Sequence, residues 1–198
     1  YLSVDFAGGV NIDAIVAEIY ESVEAVIAVA GEENDTDVQS ESGLPPHSIE
    51  IIAYGGLDED VAGAIFRRKA AGIQTYGNTS VSVVSSAGTT HKIKFSRPTP
   101  VNVWVKITGL KTDSVFPLDG IDRIKQNIVE YIGSNTRGGM AIGQDVICVT
   151  LPTEVLKVPG VVDFDLQISS NGSVFSRENI TIAAREKAVT DESKVTVE

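Results

Sequence analysis

The sequence predicts an α+β protein made of two small sheet-and-helix units in series. Three observations carry this. Some segments place apolar residues at helical spacing, and others alternate them as strands do. The second half of the chain repeats the ingredients of the first, so each half can build its own helix-on-sheet layer. Between the halves, Arg97-Pro98-Thr99-Pro100 interrupts two alternating runs, and proline removes a ladder donor wherever it falls in a strand. The expected units are 1–98 and 99–198, with Thr99 as a stiff hinge between two prolines.

In the first half, residues 13–28 place Ile15, Val16, Ile19, Val23 and Val26 at helical spacing, with Asp13 as the cap. Residues 31–43 are polar and strongly acidic and read as a loop. Residues 48–54 form an apolar strand that Gly55-Gly56 ends. Residues 58–69 form a second helix, with Val61, Ala62, Ile65 and Phe66 on one face. Its first turn holds Asp58, Glu59 and Asp60, and its end holds Arg67, Arg68 and Lys69, the charge order that a helix dipole favours. Gly72 and Gly77 frame a turn. Gly72 is expected to terminate the helix, and Tyr76 to bury its ring. Residues 81–85 and 92–95 then form a hairpin around Ala87-Gly88.

In the second half, residues 101–108 alternate Val101, Val103, Val105 and Ile107 on one face. Trp104 falls on the other face and is expected to pack on the first unit or on a partner. Residues 120–134 form a helix, capped by Asp119, with Ile121, Ile124, Ile128, Val129 and Ile132 inward. Gly138-Gly139 reads as a flexible junction. Residues 144–151 read as a strand, 153–158 as a short helix and 162–169 as an alternating strand that turns at Asn171-Gly172. Residues 173–175, 179–183 and 194–197 read as short strands.

The composition is that of an ordinary globular protein, 42% hydrophobic and 22% charged over 198 residues. No apolar run approaches the roughly 20 residues of a membrane span. The chain begins at Tyr1 and its one methionine is Met140, so the expectation is a fragment or processed chain with more protein upstream. Net charge is −11, and Lys and Arg look scattered apart from Arg67-Arg68-Lys69. Nucleic acid is therefore not an expected partner, since a duplex binder needs a basic face. The single Cys148 allows no internal disulfide, and its β-branched neighbours make it a small core residue.

Candidate chemistry resolves into structure. Cys148 would need a base, and His47 and His91 lie far away in sequence. His47 lacks the spaced ligands of a zinc site. The acidic loop lacks the spacing and glycine of a calcium-binding EF-hand loop. Asp163 and Asp165 share a strand face, which is a solvated face before it is a metal site. Gly55-Gly56 could hold phosphate at a helix N-terminus, but Asp58, Glu59 and Asp60 would repel it. Asn34-Asp35-Thr36 and three similar tripeptides fit a glycosylation pattern that is frequent by chance. No cofactor or metal is expected.

Three segments share wording with one family. They are Gly43-Leu44-Pro45-Pro46-His47-Ser48-Ile49-Glu50, Ala71-Gly72-Ile73-Gln74-Thr75-Tyr76-Gly77 and Phe95-Ser96-Arg97-Pro98. In order and spacing they resemble the baseplate J-like proteins of contractile-tailed phages and prophages. The words at residues 19–23 and 33–37 also sit where such proteins carry similar ones. The resemblance is sharp over 20–98 and looser to Glu198. It implies a baseplate J-like central domain followed by its C-terminal domain. It also implies a virion protein of the tail baseplate, assembled in the bacterial host cytoplasm, whose partners are other wedge proteins and copies of itself. Such a protein links wedges into a ring and couples its rearrangement to sheath contraction. Gly43, Leu44, Pro45, Pro46, His47, Gly72, Ile73, Thr75, Tyr76, Gly77, Phe95, Arg97 and Pro98 are its expected structural residues. Two other classes stay open: a non-catalytic binding or adhesion module of a tail-like particle, and a tail-associated cell-wall hydrolase. The hydrolase would require paired acid and base groups at a recognisable spacing, and the sequence offers none.

Overall fold

The computed structural model describes residues 11–198. Residues 1–10, which the expected first domain includes, lie outside them. The protein is α+β. It divides into two compact units, one running to Arg97 and the other from Pro98 to Glu198.

The first unit is built from α1 (Ile12–Ser22), β1 (Val26–Asn34), β2 (Ser48–Gly55), α2 (Asp58–Arg68), β3 (Gln74–Tyr76), β4 (Thr79–Val84) and β5 (Thr90–Phe95). β2 is its axis. β1 runs antiparallel to β2, from Val26 opposite Gly55 to Asn34 opposite Ser48. β3 pairs parallel with the start of β2, and Ser96, just past β5, bridges Ile52 farther along it. β4 and β5 form the hairpin. Residues 48–53 are all buried, as befits a strand covered on both faces. Ile15 and Ile19 of α1 and Val61 and Ile65 of α2 share one core with Ile49, Ile51, Ile93 and Phe95.

The expected first helix is too long. It stops at Ser22, because Val23 is already extended at φ −108 and ψ 117, and Ala25 at φ +57 keeps the chain from resuming a right-handed helix. The β-branched Val26, Ile27 and Val29 then continue as β1, because β2 offers them a ladder. The cap is Asn11 rather than Asp13: its side chain accepts from Ala14 N at 3.0 Å. The acidic loop starts only after Asn34.

The second unit contains β6 (Thr99–Asn102), β7 (Trp104–Thr112), α3 (Gly120–Ile132), a 3-10 turn at Cys148–Thr150, α4 (Pro152–Leu156), β8 (Val161–Ser169), β9 (Glu186–Val189), a second 3-10 turn at Glu192–Lys194 and β10 (Val195–Val197). β7 lies between β10, parallel to it, and β8, antiparallel. β6 pairs parallel with β9. Ile124, Ile128 and Ile132 of α3 pack with Val103, Val105, Ile107, Leu166 and Ile168.

Several expectations are corrected here. Thr99 and Pro100 belong to β6, and Thr99 N donates to Arg185 O at 3.0 Å. They are a paired strand, and Pro100 is tolerated because the β6–β9 ribbon is two-stranded. Asp119 precedes α3 but makes no capping bond; its carboxylate takes Arg123 instead, at 2.9 Å. Ile121 is exposed, since it falls on the outer face of α3. Residues 144–151 are not a strand: Val146 makes a single bridge to Ile180, and the chain then turns into Pro152 and α4. Residues 179–183 contribute only that bridge. Residues 173–175 are held by Asn171, whose side chain accepts from Ser173 N and Val174 N, an Asx turn. Trp104 lies against the turn at Gly172. Gly139 is no loose junction. It bridges Gly133 so closely that a side chain on either glycine would collide with the other strand's backbone.

Candidate functional site

The three segments that carry the family resemblance meet on one strand. The first leads into β2. The second ends as β3, which pairs with residues 48–50. The third exits β5, where Ala53 N donates to Ser96 O at 2.9 Å and Ser96 N to Ile51 O at 2.8 Å. β2 is thus gripped at both ends by chain that is distant in sequence.

At the start of β2 the grip is Asn34. Its side-chain NH2 donates to the carbonyls of Val38 at 2.7 Å, Leu44 at 2.9 Å and Pro45 at 3.1 Å. Its oxygen accepts from Thr36 N and Thr36 Oγ1. A single amide therefore closes the whole acidic loop. Leu44 is fully buried. Pro45 O accepts from Ser48 Oγ at 2.6 Å. Gly43 sits at φ +86, where a side chain is strained. Pro46 is exposed, and His47 points outward with Nε2 2.8 Å from Asp37 Oδ1. Sequence reasoning gave Asn34 no structural role. The clue was Asn-x-Thr itself, an Asx-turn pattern as well as a glycosylation one.

At the far end the grip is Arg97. Its guanidinium donates to Ala53 O at 2.9 Å, Gly55 O at 2.6 Å and Gly56 O at 2.8 Å, and pairs with Asp58 at 2.6 Å. It also lies 5.0 Å from the centroid of the buried Phe95 ring, a cation–π distance. The planar fork of five donors suits this turn, where several carbonyls converge, and a lysine could not fill it. Asn78 completes the corner, accepting from Arg97 N at 3.1 Å. Pro98 is buried and closes the segment.

Between these grips lies the glycine-framed turn. α2 ends at Arg68 and Lys69 is already extended, so Gly72 is not the helix-terminating glycine. Gly72 instead occupies the turn in which Ile73 N donates to Ala70 O, with φ +89. Ile73 packs against the core, and Thr75 Oγ1 accepts from Lys94 N at 2.9 Å. Gly77 has φ +153, and a Cβ there would collide with the Phe95 backbone. Tyr76 departs from expectation: the residue is 37% exposed, because β3 turns that side away from the core.

The candidate nucleophile and bases each have separate surroundings. His91 stacks on Phe66 with ring centroids 5.0 Å apart. Cys148 is buried, its N–H donates to Asn179 Oδ1 at 3.0 Å, and desolvation pushes its thiol pKa up. Asp163 pairs with Lys111 at 2.7 Å and Asp165 with Arg177. Arg67 and Arg68 both reach Glu18 of α1 at 2.8 Å, so they tie the two helices together. Those bonds hold the Glu18 carboxyl below its usual range, Arg68 first and Arg67 next. Among the described residues no three His, Cys, Asp or Glu side chains converge on one point. Among them, too, no helix is long and apolar enough to cross a membrane. No family model and no curated protein matches the chain.

Proposed function

We propose that this chain is a structural, non-catalytic wedge subunit of the baseplate of a contractile phage or prophage tail. It joins neighbouring wedges into the ring and passes the ring's rearrangement to the sheath. One observation carries the reading: the three segments that resemble baseplate J-like proteins converge on β2, where Asn34 and Arg97 clamp them to main-chain carbonyls. Residues used this way keep a module rigid under load and perform no chemistry. Its partners are other wedge proteins and further copies of the chain, with neither nucleic acid nor membrane among them, and its place is the virion. Ring subunits need contacts in which one patch meets a different patch on the neighbour, and sheath triggering needs interfaces with two stable arrangements.

The test is deletion of the coding segment in its phage or prophage, followed by electron microscopy and mass spectrometry of the particles. The expected result is tails without assembled baseplates, restored by the chain supplied in trans, with the chain present in purified particles. Contractile tails that assemble normally without it would overturn the reading. So would a cell-wall-cleaving activity of the pure chain.

A further inference from the structure

Among the described residues strand β4 is an open edge. Its sequence, Thr79-Ser-Val-Ser-Val-Val84, contains no charge and no proline. Among the described residues its only strand neighbour is β5. Among the described residues, no hydrogen bond from outside the hairpin reaches the backbone of residues 80–84. Edges of this kind pair with further strands unless a lysine, a proline or a cover prevents it. β1, the opposite edge of the unit, is covered at one point, where Val29 N donates to Tyr20 OH at 3.0 Å. Residues 31–34 beyond it carry no such cover among the described residues.

The charges of the unit are divided along its sequence, acidic first and basic after. Residues 11–60 hold Asp and Glu but no Lys or Arg, and residues 61–97 hold Lys and Arg but no Asp or Glu. The basic residues are therefore segregated rather than scattered. Some of this charge is used internally, as in Glu18 with Arg67 and Arg68 and Asp58 with Arg97. The remainder includes four exposed residues close to these strands. Among the described residues, Lys92 and Lys94, side by side on the outer face of the hairpin, pair with no carboxylate, and Glu33 and Asp35 at the end of β1 pair with no cation. Unpaired opposite charges at opposite edges of one unit match between copies.

We propose that the β4 edge docks a second copy of this chain, which adds the acidic end of its β1 as the next strand. Backbone hydrogen bonds supply the adhesion, as in other strand additions. Glu33 and Asp35 then lie on the same sheet face as Lys92 and Lys94, with Ser82 and Ser80 of β4 between them, within reach of the long lysine side chains, and this attraction biases register and steers the encounter. The contact is head-to-tail, so it propagates and closes into a ring when the rotation between copies allows. Its biological meaning rests on the baseplate reading, but its physical test does not.

That test is sedimentation velocity over a rising concentration series, at low and high salt, with hydrogen exchange on the same samples. Wild type forms dimers and larger species that dissociate as salt rises, and the amides of residues 79–84 exchange more slowly in them. Lys92→Glu with Lys94→Glu, or Glu33→Lys with Asp35→Lys, weakens association at least about tenfold. Mixing the two doubly reversed proteins restores it, because each presents the charge that the other now lacks. A chain that stays monomeric throughout, association that survives both reversals, a mixture that does not recover, or unprotected β4 amides in the associated state would each overturn the proposal. A monomeric result leaves the baseplate reading standing on the particle test. Association by a chain that particles lack would end the baseplate reading alone.

Discussion

Tyr76 and Lys187 invert the usual distribution, with an aromatic ring outside and a charged group inside. Tyr76 is 37% exposed, so Tyr76→Ala is expected to cost less than about 3 kcal/mol, below the range for a buried ring. A chemical-denaturation midpoint checks it, and a loss of 3 kcal/mol or more, the scale of a buried ring, would contradict the exposure. Lys187 is fully buried on β9. Its ammonium donates to Met140 O at 2.9 Å and Ala188 O at 3.4 Å, and it pairs with no carboxylate among the described residues. Burial pulls its pKa down from 10.5. Between that lowered value and 10.5 the unfolded chain binds more protons than the native one, so stability rises with pH across this window. Lys187→Met should remove that rise and leave the protein at least as stable at neutral pH, since an apolar chain needs no charge solvated in the core. Unfolding free energies measured at neutral and alkaline pH decide it. A Met variant that is less stable at neutral pH would mean that the two carbonyl bonds outweigh desolvation.

At the scale of elements, what was legible in the sequence followed periodicity, and what was not followed pairing. α2, the β4–β5 hairpin and β8 were readable because their apolar spacing is local and their ends carry glycine, proline or charge. β1 was hidden because Val23 and Val26 also fit a helical face, and only the distant β2 decides otherwise. β9 was hidden because Glu186 and Lys187 look like surface residues, yet one of them is in the core. The three segments of the candidate site were visible as wording, but the amide and guanidinium clamps that join them depend on carbonyls brought together only by the fold. The glycine pair tests this distinction. Gly72 has φ +89 with open space around it, so Gly72→Ala should cost about 1–2 kcal/mol, for conformation alone. At Gly77 the new methyl also meets the Phe95 backbone, so Gly77→Ala should cost clearly more, about 3 kcal/mol or above, as strain and overpacking add. Equal losses in denaturation would show that the β3–β5 corner yields freely.

At the scale of the whole molecule, each unit has its own apolar cluster: Ile65 lies in that of the first, and the second is centred on Val105, Ile107, Ile124 and Ile128. A domain with its own core can in principle unfold by itself. The sequence supplies a reporter for this, because the single tryptophan, Trp104, belongs to the second unit and packs on the turn at Gly172. Its fluorescence should follow that unit only, whereas far-ultraviolet circular dichroism follows both. Ile65 is fully buried in the first core, and Ile65→Ala removes enough apolar contact to cost about 2–5 kcal/mol. With independent units, the substitution shifts part of the dichroism transition to lower denaturant and leaves the tryptophan transition in place. If the fluorescence midpoint moves by the same amount, the two cores unfold as one cooperative system. A strain applied to the first unit would then be felt throughout the second, as a subunit that passes a ring's rearrangement onward would require.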